Sequence, residues 1–99
     1  MKEVKLSDGR VVVIKKGTGR DYIEARKIAT QTGEDIFVVL LHRLAETKEG
    51  KAIPIEELKN LPLGDYMTLE TALFEVNPLP EGLKGQSSFS SVKASDTVN

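Results

Sequence analysis

The first fifteen residues constrain the fold most, because they read as a structure that cannot stand alone. Val4 and Leu6 alternate with Glu3 and Lys5, the period of two expected of a strand with one buried face. Ser7-Asp8-Gly9 follows. Asp-Gly is a strong hairpin turn, since Gly accepts positive φ and Asp hydrogen-bonds its own backbone. Val11 to Ile14 are β-branched residues that suit a pleated surface. Residues 2–15 therefore predict a β-hairpin. A lone two-stranded hairpin is marginal in water. It must pack on helices, gain strands from elsewhere, or pair across a subunit boundary.

Helical signals fill the chain beyond the hairpin. Thr18-Gly19-Arg20-Asp21 forms a capping box, in which the Thr hydroxyl accepts from a first-turn N–H while Asp21 reaches back. Tyr22, Ala25, Ile28 and Ala29 fall on one face of a helix over about 20–31, with Gly33 as its C-terminal stop. Asp35 can cap the next segment. Ile36, Phe37, Val38, Val39, Leu40, Leu41 and Leu44 surround that segment instead of striping it, as in a buried helix. Its continuation through His42-Arg43-Leu44-Ala45-Glu46 predicts helix over about 35–47, with a polar loop at 47–51. Pro54 suits a first turn. Ile55, Leu58 and Leu61 then give a short helix, 54–60, stopped before Pro62. Tyr66, Leu69, Leu73 and Val76 share one face of a last helix, 64–76, and Met67 and Phe74 widen that face on its flank. From 78 to 99 the chain holds two prolines, two glycines and five serines, with few apolar side chains to offset ordering entropy. The expected organisation is one α+β domain over 1–77, a hairpin packed on three to four helices, followed by a disordered tail over 78–99.

Composition excludes several kinds of chemistry. The 99 residues include no Cys and one His. That leaves no disulfide framework, thiolate metal site, Cys nucleophile or Ser–His pair with a spare base. His42, inside an apolar helix, reads as packing or a local hydrogen bond. The close carboxylates Asp21 and Glu24, Glu34 and Asp35, and Glu56 and Glu57 all lie near predicted helix starts, where the dipole favours them. Gly17-Thr18-Gly19 lacks the Gly-Lys-Ser/Thr of a phosphate loop. No catalytic residue, metal or cofactor is expected, and the chain reads as a non-enzyme.

Charge is unevenly placed. The formal net charge is −1, yet residues 1–27 carry net +4 and residues 28–77 net −5. The polarity suits self-association or partner docking, but chance variation among solvated charges is the better explanation. The longest apolar run, Ile36 to Leu41, is six residues. A membrane span needs about 20. The start, Met-Lys-Glu-Val-Lys-Leu, alternates charged and apolar side chains and does not read as a signal peptide. The expectation is a cytoplasmic protein with no membrane partner. The best lead is apolar surplus: helices 35–47 and 64–76, with Leu58, Leu61 and Leu63, hold more apolar side chains than the polar hairpin end, most of them for the core and some for an exposed strip that accepts a helix or another copy of the chain. Leu61, Leu63, Met67 and Phe74 lie off the tightest core stripe and are the candidate partner-binding residues.

The order of parts resembles a known family. A hairpin leads to a Thr-Gly-Arg-Asp helix start, then to a helix ending Leu-His-Arg-Leu-Ala. Glu56-Glu57-Leu58-Lys59-Asn60-Leu61-Pro62-Leu63-Gly64-Asp65 follows, then Tyr66, Met67, Leu69 and Phe74. This is similar to the small tail assembly chaperones of long-tailed bacteriophages, of the P2-like and Mu-like kind, over residues 2–76. In that family an acidic-acidic-Leu-x-x-Leu-x-x-x-Asp segment commonly joins the last two helices. Here Pro62 and Gly64 depart from the pattern and leave the boundary between those helices open. The resemblance implies a prophage or viral protein of the bacterial cytoplasm. Its partner would be the helical tape-measure protein, kept soluble while tail-tube protein polymerises around it, with self-association as a further property. The competing reading is a small nucleic-acid-binding regulator using basic segment 10–27. Overall charge and the lack of interleaved aromatics argue against it. A small enzyme or ligand-binding domain ranks last.

Overall fold

The structure, a computed structural model, describes residues 1–79; the tail expected over 78–99 lies almost wholly outside them. Its architecture is mixed α+β, a three-stranded antiparallel sheet with four helices. Strand β1 (Lys2–Lys5) pairs with β2 (Val11–Ile14) in the register Val4↔Val12. Gly9 supplies the positive φ of +93° at the turn. Asp8 accepts from the Arg10 N–H at 3.0 Å, the local bond that favours Asp there. Helix α1 (Gly19–Thr32) starts as expected, with Asp21 Oδ2 accepting from the Thr18 N–H at 2.8 Å. It stops at Gly33, whose φ of +79° is left-handed. Helix α2 (Ile36–Leu44) is capped by Asp35, which accepts from the Phe37 N–H at 2.8 Å.

Two expectations need correction. Helix was expected to run through 47, but it ends at Leu44, and Ala45–Thr47 form a third strand, β3. The hairpin therefore gains its third strand from within the chain. β3 lies antiparallel to β2 with Ile14 opposite Ala45 and Val13 opposite Glu46. Sheet hydrogen bonding along the bare edge of β2 overrides the strong helix propensity of Ala-Glu. Lys15 reinforces the pairing through Glu46 at 3.0 Å. The supposed polar loop is a tight turn: the Gly50 N–H donates to Thr47 O at 2.9 Å, with Gly50 at φ +87°. The second correction is Tyr22. Of the four residues expected on one face of α1, Ala25 is buried and Ile28 and Ala29 are half-buried, but Tyr22 is 46% exposed. The guanidinium of Arg26, one turn on, sits 5.5 Å from its ring centroid.

Helix α3 (Ile55–Lys59) buries Leu58, and α4 (Leu63–Val76) buries Leu69, Ala72 and Leu73. Pro62 marks the boundary that the sequence left open: it sits in extended backbone as the N-cap of α4, and Gly64 falls in the first turn. The core lies between one face of the sheet (Val4, Leu6, Val12, Ile14) and helices α2 and α4.

Candidate interaction surface

Helix α4 is fixed at both ends to the N-terminal part of the chain, chiefly by the side chains of Asp65 and Asn77. At its start, Asp65 accepts the Ser7 N–H at 3.0 Å and the Ser7 hydroxyl at 2.7 Å. One carboxylate thus satisfies the hairpin turn and locks α4 to it. At its end, Asn77 Oδ1 accepts the Gly17 N–H at 2.7 Å while Nδ2 donates to Lys15 O and Leu73 O. Gly17 lets Leu44 pack close: a Cβ there would meet Leu44 Cδ1 at 2.8 Å, and that side chain would have to shift. Lys2 and Glu75 add an exposed ion pair at 2.8 Å, which contributes little by itself. Helix α3 is tied to the hairpin by Arg10, which pairs with Glu57 and with Asp8. Lys59 bridges Glu34 and Glu56.

On this anchored helix the four candidate residues divide. Leu63 is 75% exposed and Met67 55%, and they lie one turn apart on the same flank. Leu61 and Phe74 are half-buried against the core instead. Phe74 meets Phe37 of α2 edge to face, with ring centroids 5.3 Å apart and planes at 81°. The surface is therefore an apolar strip, Leu63 and Met67, bordered by the partly covered Tyr66 and Phe74. Acidic groups edge it. Burial first, and the nearby Asp35 second, raise the Glu70 carboxyl above the usual carboxylate range. Burial, with Glu70 and Asp35, pushes the Tyr66 hydroxyl up to about 12. Tyr66 is accordingly a neutral hydroxyl at any physiological pH.

His42 and Asp21 both have hydrogen-bond partners that tie elements of the fold together. His42 Nδ1 lies 2.7 Å from Ile53 O, so that nitrogen carries the proton and ties α2 to the segment before α3. Asp21 does double duty, capping α1 and accepting Arg43 Nη2 at 2.9 Å. The Thr18 N–H first and Arg43 second hold its carboxyl below the usual range. Among the described residues no three His, Cys, Asp or Glu side chains stand close enough to hold a metal ion. None of the described helices is long and apolar enough to cross a membrane. Within the basic segment 10–27, Arg10 pairs with Glu57 and Lys15 with Glu46, while Arg26 and Lys27 border a shallow depression on α1. No family model matches the chain, and no curated protein or solved structure matches it.

Sequence reasoning missed the anchors of this surface. Ser7, Asp65, Gly17 and Asn77 each looked like an ordinary turn or cap residue. The one available signal was that Asp65 and Asn77 bracket the most regular apolar helix in the chain.

Proposed function

We propose that this chain is a non-enzymatic assembly chaperone of the phage-tail kind, which covers an apolar helical stretch of the tape-measure protein until tail-tube protein encloses it. The observation that carries the reading is the exposed pair Leu63 and Met67 on a helix pinned at both ends. Two large apolar side chains in water on a rigid platform are suited to a helix-in-groove contact. The contact is small, so each copy binds weakly, and coverage of a long partner comes from many copies acting together. The Leu-x-x-Leu-x-x-x-Asp segment supports the same reading. Leu58 enters the core, Leu61 packs at its margin, and Asp65 locks the hairpin, so the motif sets the angle at which the strip is presented. This work would take place in the cytoplasm of the bacterial host.

Co-expression with the tape-measure protein tests the proposal. The native chain should raise the soluble fraction of that protein, and the double variant Leu63→Asp/Met67→Asp should fold normally yet lose the effect. No gain in solubility with the native chain, or full retention by the double variant, would end the proposal.

A further inference from the structure

The sheet has two edges, and the chain closes one of them. Beyond β3, the Thr47 N–H donates to Lys51 O at 2.8 Å and Glu46 bridges to Ala52, so that edge is occupied. Beyond β1, no strand follows among the described residues. Hydrogen-bond parity shows what this edge offers. The Leu6 N–H donates to Arg10 O at 2.8 Å, so the even-numbered residues of β1 turn their amides toward β2. By alternation, Glu3 and Lys5 turn their N–H and C=O groups to the open side. An edge of this kind is a template for another strand.

The side chains say which strand. Glu3 and Lys5 are exposed on the face opposite the buried Val4, and their partners across β2 are Val13 and Val11. Lys2, Arg10 and Lys15 have ionic partners within the chain, whereas Glu3 and Lys5 have none among the described residues. We propose that two copies of this chain join edge to edge through β1, antiparallel about Val4, so that Glu3 of each copy faces Lys5 of the other. In this register the residues with outward amides fall opposite one another, as a closely spaced hydrogen-bonded pair requires. Each charge gains an opposite charge across the junction, twice by symmetry. A shift by two residues in either direction loses both charge pairs. The flank of α4 that carries Glu75 otherwise carries the short, exposed Gly64, Thr68 and Thr71, and Glu75 itself is engaged by Lys2 of its own chain. The result is a six-stranded sheet with both α4 strips left free.

Sedimentation of the full chain over a range of concentrations tests the pairing. The native chain should show a monomer–dimer equilibrium. Glu3→Lys and Lys5→Glu should each weaken the dimer by about tenfold, because each places like charges opposite one another at two symmetric positions. The double exchange Glu3→Lys/Lys5→Glu should restore it. Glu3→Pro should abolish the dimer while circular dichroism and thermal unfolding of the monomer stay near native, since the N–H it removes faces outward. A native chain that stays monomeric overturns the proposal. So does a dimer indifferent to the single exchanges, or a double exchange no better than the singles.

Discussion

Helices α1 and α4 are equally long, 14 residues each, and are held in opposite ways. α4 buries Leu69, Ala72 and Leu73 against α2, β1 and β2, and polar bonds then fix its ends. α1 buries only Ala25, packs chiefly on α2, and leaves Tyr22 and Ile23 about half exposed. Beyond that contact with α2, its position depends on its caps and on the Asp21–Arg43 ion pair. Few buried apolar contacts mean a low cost of local opening. α1 is therefore the segment expected to open first, and α4 the stable platform. A surface strip gains from sitting on the platform, because ordering it on binding costs little.

The largest expected effect comes from breaking the platform. Leu69→Ala removes a fully buried side chain between sheet and helices and should cost about 2–5 kcal/mol. Ile28→Ala, at a half-buried site on α1, should cost clearly less. Chemical denaturation of both variants measures the contrast. Equal losses would show that α1 is as firmly held as α4.

An intermediate effect is expected at Asp21. Asp21→Ala removes the acceptor for the Thr18 N–H and leaves Arg43, whose buried Nε already has no hydrogen-bond partner, without its carboxylate. The expected loss is about 1–2 kcal/mol. Hydrogen exchange should quicken along α1 while α4 keeps its protection. Native pH dependence should carry the same signature. The folded pKa of Asp21 lies below its unfolded value, so its contribution is present above the ordinary aspartate range and is lost as pH falls through the lowered folded value. Asp21→Ala should flatten that acid limb.

The same division governs what the sequence disclosed. The β1–β2 hairpin, the Thr18–Asp21 cap, the Gly33 stop and the Asp35 cap each depend on residues within a few positions of one another, and all were legible. β3 was not. Ala45-Glu46-Thr47 becomes a strand only because β2, some thirty residues earlier, has an edge to fill. Asp65 bonds Ser7 across 58 residues and Asn77 bonds Gly17 across 60, and nothing local marks either partner. The candidate surface divides along the same line. All four candidates were expected off the tightest core stripe, and Leu63 and Met67 are the two left exposed. Leu61 and Phe74 are partly covered by residues from elsewhere, Phe37 of α2 in the case of Phe74.

The smallest expected effect sharpens the electrostatics of the platform itself. Glu70 is half-buried beside the strip and has no ion pair among the described residues; burial, then Asp35, raises its carboxyl pKa in the folded state. A carboxyl raised on folding holds its proton more tightly when folded, so stability declines as pH rises from its unfolded value through its folded one. Above that window the native chain carries the full penalty of a partly desolvated charge. Glu70→Gln keeps the shape and removes the charge. It should stabilise the chain at neutral pH by on the order of 0.5 kcal/mol, with the gain vanishing below the ordinary glutamate range. Thermal melts of both proteins across acid and neutral pH read the difference. A gain that persists unchanged in acid would assign it to side-chain propensity, and a loss at neutral pH would mean that the Glu70 charge has a stabilising partner. The same variant leaves Leu63 and Met67 untouched, so it separates the charge bordering the strip from the apolar contact that the strip provides.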